Sequence, residues 1–412
     1  MQKFGACCMR RRDFIRLAGG ATVLPFAASA QQPQNIDKTL ASAVDRKEIP
    51  GIVAMAADRT RVIYQGAFGM ADIAESRPMQ LDALFRIASM TKPVTAVAAM
   101  QLIERGRLAL DDPAGKFFPQ FAKPMVLESL DAATGAYKLR PAAKPVTVRH
   151  LFTHTSGLGY RFTSPILHDF KPRPGDPALP LLFEPGEQWM YGTSTDWLGR
   201  VVEKVSGLSL NDCFQQRIFV PLKMTDTFYD VPRAKQARLI AAHRRQADGS
   251  LAKLPVQPRP TGFRPVGGGG LSSTASDYLR FTRMLLNGGE LDGARILLAS
   301  SVDAMAKNQI GAIGVPALRS MSPAVSDDFT FIADGRDKWG LGFLITSDSV
   351  PGKRSAGSLS WGGVNNTYFW VDRASGITGV IMMQLLPFAD RKALAVYDAF
   401  ERGVYRLVNS TR

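Results

Sequence analysis

Strand-forming runs stand at the two ends of this chain, and the stretch between them reads as helix and loop. Near the start, "GIVAMAAD" (51–58) and "RVIYQGAFGMAD" (61–72) are rich in apolar and β-branched residues and are parted by Asp58-Arg59-Thr60, the pattern of a hairpin. Near the end, "WGLGFLIT", "NTYFWVD" and "TGVIMMQLL" carry the same signature. Between Asp111 and about Arg259 such runs are scarce. Proline-rich loops there alternate with helical stretches such as "STDWLGRVVEKVSG", which Gly207 ends. Helices are expected from about Ile36 to Arg46 and over "ALAVYDAFERGVYRLV". One sheet assembled from both ends meets these constraints: a discontinuous α/β domain over 31–110 and 261–412 that clasps a mostly helical domain over 111–260.

The first thirty residues read differently. "MRRRDFIRLAGGATVLPFAASA" gives a basic start, a short and modestly apolar stretch, then Ala28-Ser29-Ala30, which is the pattern of a signal peptide over 1–30 with cleavage after Ala30. Arg11-Arg12 followed by Asp13, Phe14, Ile15 and Arg16 resembles a twin-arginine export signal. A periplasmic or secreted location is expected, with no stable membrane anchor once the signal is removed. No apolar run reaches the roughly 18 residues that a membrane span needs.

The net charge is +15. Without the leader it falls to about +11, scattered along the chain instead of gathered into a stripe with interleaved aromatics. A solvated basic surface is expected, and no nucleic-acid partner. Cys7 and Cys8 fall in the leader, leaving Cys213 alone, so neither an internal disulfide nor a cysteine zinc site is available to the mature chain. Cys213 reads as a buried small hydrophobe.

Ser89 and Lys92 lie three residues apart at the start of a helix that "LFRIASMTKPVTAVAAMQLIERGRL" predicts. Val94, Val97, Ala98 and Leu102 would form its core face, and Pro93 is tolerated only in its first turn. Residues three apart on a helix are neighbours, so the lysine can reach the serine hydroxyl. A serine is a poor nucleophile until a base takes its proton, and an amine serves as that base when burial or neighbouring charge favours its neutral form. A tyrosine nearby would share the proton. The Ser89 N–H, at a helix start, would be free to stabilise an oxyanion.

Other nucleophile arrangements lack support. There is no G-x-S-x-G elbow, no H-E-x-x-H and no P-loop. None of His150, His154, His168 and His243 sits in a context for a Ser-His-Asp triad. "GGGGL" (267–271) reads as a tight turn before a helix.

The blocks of this chain, in order, resemble those of the serine β-lactamase and penicillin-binding-protein superfamily, on the side of class C β-lactamases and family VIII carboxylesterases. "FRIASMTKPVTA" resembles the nucleophile helix; "LFTHTSGL", "FEPGEQWMYGTSTDWLGRVVEKVSG", "PLKMTDTFY", "GGGGLSSTASDYLRF" and "SWGGVNNTYFWVD" resemble later blocks. The resemblance implies the family fold, a central antiparallel sheet flanked by helices plus a mostly helical domain. It implies Ser89 as nucleophile, Lys92 as its base partner and Tyr191 as the second proton-transfer group. Thr193 stands where the family often has asparagine that holds substrate or the lysine. The family's Lys-Thr-Gly is here Trp361-Gly362-Gly363. The two glycines would let the strand edge approach the substrate, and Val364 would supply the oxyanion N–H opposite that of Ser89. His154, in "HTSG", has a loop-shaping place. No metal or organic cofactor is implied.

Trp361 bears on the substrate. The family lysine at this place helps hold a β-lactam or D-alanyl carboxylate, whereas tryptophan offers a flat apolar wall. Arg264 or Lys353 would have to supply the cation from elsewhere. The expected activity is therefore an exported carboxylesterase that cleaves short-chain neutral esters through an acyl-enzyme on Ser89. A β-lactamase or D-amino-acid amidase/peptidase is the alternative, and a non-catalytic sensor domain is the second.

Overall fold

The computed structural model describes residues 31–177, 180–256, 262–330 and 335–410. The signal peptide expected over 1–30, with its Ala28-Ser29-Ala30 cleavage site, falls outside them. The elements that place the site are, in chain order, α1 (Gln31–Asp45), β1 (Gly51–Asp58), β2 (Val62–Asp72), β3 (Arg77–Pro78), α2 (Thr91–Glu104), α3 (Ser194–Ser206), α4 (Ala275–Leu286), β4 (Lys338–Trp339), β5 (Leu344–Ile345), β6 (Leu359–Gly363), β7 (Thr367–Asp372), β8 (Ile377–Met382) and α5 (Arg391–Asn409).

Strand β1 is buried along almost its whole length, and its side chains divide by the period of two that a strand imposes. Val53, Met55 and Ala57 enter one core, while Ile52, Ala54 and Ala56 enter the other. A strand apolar on both faces needs cover on both faces. One cover is α1 with α5, where Ile36, Leu40 and Ala43 meet Val396, Phe400 and Val404 at helical spacing. On the other face lies α4, with Phe281 and Leu285 in the first core. Among the described residues these strands form an eight-stranded sheet in the order β4-β5-β6-β7-β8-β1-β2-β3. Every pairing in it is antiparallel. Strands from both ends of the chain meet where β1 pairs β8, with Val53 opposite Met382. The turn at Asp58-Arg59-Thr60 is fixed by the Asp58 carboxylate, which accepts from the N–H groups of Thr60 at 2.7 Å and Arg61 at 2.8 Å.

Two local expectations are corrected. "WGLGFLIT" is not one strand but the short pair β4 and β5, with Trp339 opposite Leu344. The chain turns back through Gly342 at φ +93°, a conformation that glycine adopts without steric cost. Helix α2 has no one-sided core face either. Its residues are buried on every side from Thr91 to Leu102, because it packs against α3 and sits within the larger core. Its small residues Ala96, Ala98 and Ala99 suit that position. Between 111 and 260, short helices such as Val148–Thr153 alternate with the hairpin Met125–Leu130/Tyr137–Pro141. Helix α3 ends at Gly207 in the left-handed conformation.

Candidate active site

A tight 3₁₀ turn, Ala88–Met90, feeds directly into α2. Pro93 is the third residue of that helix, where no intrahelical acceptor is lost. Ala88 has φ +44°, a strained value for a residue with a side chain. The turn is pinned by the Thr91 hydroxyl, which donates to the Ala88 carbonyl at 2.7 Å, and by the Tyr278 hydroxyl, which donates to the Met90 carbonyl at 2.8 Å. Ser89 therefore stands at a helix start, where the first N–H groups lack helical acceptors.

Lys92 is 1% exposed. Its ammonium nitrogen lies 3.2 Å from Ser89 Oγ, 3.3 Å from the Tyr160 hydroxyl and 2.7 Å from the Gly268 carbonyl. It also sits 4.7 Å from the Tyr191 ring centre. The Tyr191 hydroxyl lies 2.7 Å from Ser89 Oγ. Ser89, Lys92 and Tyr191, which the sequence reading put together, thus meet at one oxygen.

Tyr160, Asp196 and Gly268 complete a closed ring of contacts that the sequence reading missed. Lys92 donates to the Tyr160 hydroxyl, which donates to the Asp196 carboxylate at 3.3 Å. That carboxylate also accepts from the Gly268 N–H at 2.8 Å, and the Gly268 carbonyl returns to Lys92. Burial pushes the Tyr160 phenol well above its usual range, and the Asp196 carboxylate adds to it, so Tyr160 serves as a neutral link. Gly268 is needed for this approach, since a Cβ there would lie 2.6 Å from Asp196 Oδ1. The "GGGGL" segment is thus part of the lysine's surroundings and not only a turn. Thr193, by contrast, makes no side-chain cap, and its carbonyl accepts from the N–H groups of Asp196 and Trp197. Tyr160, not Thr193, makes the side-chain contact with Lys92.

His154 holds the Tyr191 segment from behind. Its carbonyl accepts from the Met190 N–H at 2.9 Å, and its Nδ1 accepts from the Gly192 N–H at 3.4 Å. The ring proton then resides on Nε2, which faces the Thr195 hydroxyl at 3.3 Å. Burial, and then the field of Lys92, lower its pKa well below the usual histidine value. It is a neutral support for Tyr191, in keeping with the loop-shaping place expected of it.

Trp361 is 6% exposed and packs its ring 5.1 Å from that of Tyr191 and edge-on to Trp339 at 4.7 Å. It is as much a brace for Tyr191 as a wall. At Gly363 a Cβ would run into the Ile87 carbonyl oxygen, so the end of β6 lies against the chain entering the Ser89 turn. Asn365 Nδ2 ties the same end to the Arg86 carbonyl at 2.9 Å. Gly362 and Gly363 give a strand edge without side chains, followed by Val364. The two alternative cations are already engaged: Arg264 with Glu203 at 2.8 Å, and Lys353 with Asp398 at 2.9 Å and Glu401 at 3.3 Å.

The Beta-lactamase family model matches residues 36–402. A lovastatin esterase from Penicillium rubens is 32% identical over 396 residues, which cover 90% of this chain and 98% of that protein. A monacolin J acid methylbutanoyltransferase from Aspergillus terreus is 30% identical over 414 residues, 93% of this chain and 98% of that one. A mutant of simvastatin synthase from Aspergillus terreus superposes with a TM-score of 0.78 at 29% identity, covering 92% of this chain and 98% of its own.

Proposed function

Because this chain belongs to the Beta-lactamase family, within the serine β-lactamase and penicillin-binding-protein superfamily of serine hydrolases and acyl-transfer enzymes, we propose that it is a carboxylesterase acting on neutral esters through an acyl-enzyme on Ser89. The observation that carries this reading is a single oxygen, Ser89 Oγ, within hydrogen-bond reach of both Lys92 Nζ and the Tyr191 hydroxyl. Ser89 Oγ attacks the ester carbonyl carbon, and its proton passes into the Lys92–Tyr191 pair. The oxyanion that forms is met by the N–H groups of Ser89 and Val364. Collapse breaks the bond to the alcohol oxygen, which takes the proton back from the pair and leaves. A water then attacks the acyl-Ser89 carbonyl and gives its proton to the same pair. The second collapse releases the carboxylic acid and restores Ser89.

Acyl transfer is a second reading, favoured by the names of the methylbutanoyltransferase and synthase relatives. It needs only an alcohol in place of water in the second half. Product analysis of p-nitrophenyl butyrate turnover, with and without added alcohol, separates the two. The carboxylesterase reading predicts butyric acid as the main product even with alcohol present. Transfer of most acyl groups to the alcohol would replace it, and failure to release p-nitrophenol would remove both.

Tyr160 and Asp196 are positioning residues in this scheme, since they act through Lys92. Tyr160→Phe is expected to lower kcat about tenfold, with KM within about twofold and the alkaline limb of the pH profile displaced. Asp196→Ala should cost at least as much, because it releases both the phenol and the Gly268 amide. Steady-state kinetics across pH check this. A Tyr160→Phe enzyme with the wild-type kcat and pH profile would show that the ring of contacts around Lys92 is only structural.

A further inference from the structure

In the acyl-enzyme reading the oxyanion is met by N–H groups from two distant parts of the chain. Ser89 lies in the 3₁₀ turn Ala88–Met90. Val364 follows β6 and opens the three-residue turn, 364–366, into β7, with Gly363 opposite Thr367 across its base. Among the described residues neither the Ser89 N–H nor the Val364 N–H has an acceptor. The fold thus leaves both donors over, although most backbone N–H groups find a partner. Two such donors stabilise an oxyanion only while the gap between them stays fixed.

The backbone of Arg86, three residues before Ser89, is where the two parts are joined. Gln384 is 1% exposed; its Oε1 accepts from the Arg86 N–H at 2.8 Å and its Nε2 donates to the Arg86 carbonyl at 3.3 Å. The same carbonyl accepts from Asn365 Nδ2 at 2.9 Å. Asn365 is the residue after Val364, so this bond runs directly from the turn to the chain entering Ser89.

Each part also has anchors of its own. Asn366, at φ +59°, takes a left-handed conformation that asparagine tolerates better than most residues. Its Nδ2 donates to the carbonyls of Leu385 at 2.8 Å and Pro387 at 2.7 Å, and its Oδ1 accepts from the Tyr368 hydroxyl at 2.7 Å. The Asn365 carbonyl accepts from the Leu385 N–H at 3.2 Å. Removing the Asn365 side chain therefore leaves the turn formed and Arg86 held by Gln384. What it releases is the spacing between them. We propose that Asn365 is a positioning residue that holds the Val364 N–H at the distance from the Ser89 N–H that the oxyanion requires. The proposal rests on the acyl-enzyme reading and adds what keeps its two donors in place.

Asn365→Ala is tested with p-nitrophenyl acetate and with phenylboronic acid. The boron of the acid takes Ser89 Oγ as its fourth ligand while the serine proton passes to the Lys92–Tyr191 pair, giving a tetrahedral anion like the one formed from an ester. The variant should lose about tenfold in kcat with KM within about twofold, less than the loss of a whole oxyanion donor. The Ki of phenylboronic acid should rise by about the same tenfold, which a merely structural role would not produce. Should the alanine variant be unfolded at the assay temperature, Asn365→Leu, of similar shape and without the donor, carries the same comparison. Wild-type kcat and Ki in a folded variant would overturn the proposal while leaving the esterase reading intact. So would a fall in kcat with Ki unchanged, since the effect would then not act on the tetrahedral anion. A wild type that neither cleaves the ester nor binds the boronic acid would overturn both.

Discussion

Replacing Ser89 with alanine is expected to lower kcat/KM for p-nitrophenyl acetate at least about 10⁴-fold while the protein stays folded. Among the described residues no other oxygen combines Lys92 Nζ at 3.2 Å with the Tyr191 hydroxyl at 2.7 Å, so none of them stands ready as a substitute nucleophile. The fold should tolerate the change because Lys92 keeps its contacts with the Gly268 carbonyl and Tyr160. Lys92→Ala and Tyr191→Phe should each cost at least about a hundredfold, the range of lost general-base help. Kinetics with thermal melts of all three variants check the set. Wild-type turnover in purified Ser89→Ala would end the acyl-enzyme reading.

The second large effect is discrimination between substrates. Short neutral esters are expected to be hydrolysed with kcat/KM at least about a hundredfold above that of any penicillin. A penicillin brings a carboxylate, and Trp361 stands where the family resemblance implies a lysine. Losing a charged hydrogen bond costs roughly 1.5–3 kcal/mol, where about 1.4 kcal/mol is a factor of ten. The cations held in reserve do not restore it, since Arg264 and Lys353 are bound to carboxylates of their own. Slow deacylation of a penicilloyl group, which blocks the water route, adds to the difference. Parallel assays with p-nitrophenyl esters, penicillins and a chromogenic cephalosporin check this, and a penicillin rate matching the ester rate would promote the β-lactamase alternative. Trp361→Lys is a poor reporter here, because it would bury an ammonium against Tyr191 and Trp339.

What could be read from the sequence follows how local each feature is. Ser89 and Lys92 are one turn apart, so their meeting needs nothing beyond helix geometry. Tyr191 needed the ordered blocks of the family resemblance, because 102 residues separate it from Ser89. Tyr160, Asp196 and Gly268 were illegible for a related reason: each reaches Lys92 through tertiary packing, and each has an ordinary local explanation. Asp196 reads as an acidic residue in the first turn of α3, and Gly268 as part of a turn. Among the elements, the hairpin of β1 and β2 was marked by its Asp58 turn. The β4–β5 pair was not, since a single glycine reversal inside an apolar run leaves the strand pattern unbroken. The burial of α2 on every side was also hidden, because it depends on what packs around the helix and not on the helix's own spacing.

The most direct test is to find the acyl group. Acid quenching during turnover of p-nitrophenyl butyrate, followed by intact mass measurement and peptide mapping, reads the covalent intermediate itself. The account predicts a mass increase of one butyryl group on the peptide containing Ser89, absent from Ser89→Ala and from enzyme quenched before substrate is added. Continued turnover with the acyl group on another residue, or with none trapped while Ser89→Ala remains active, would contradict it.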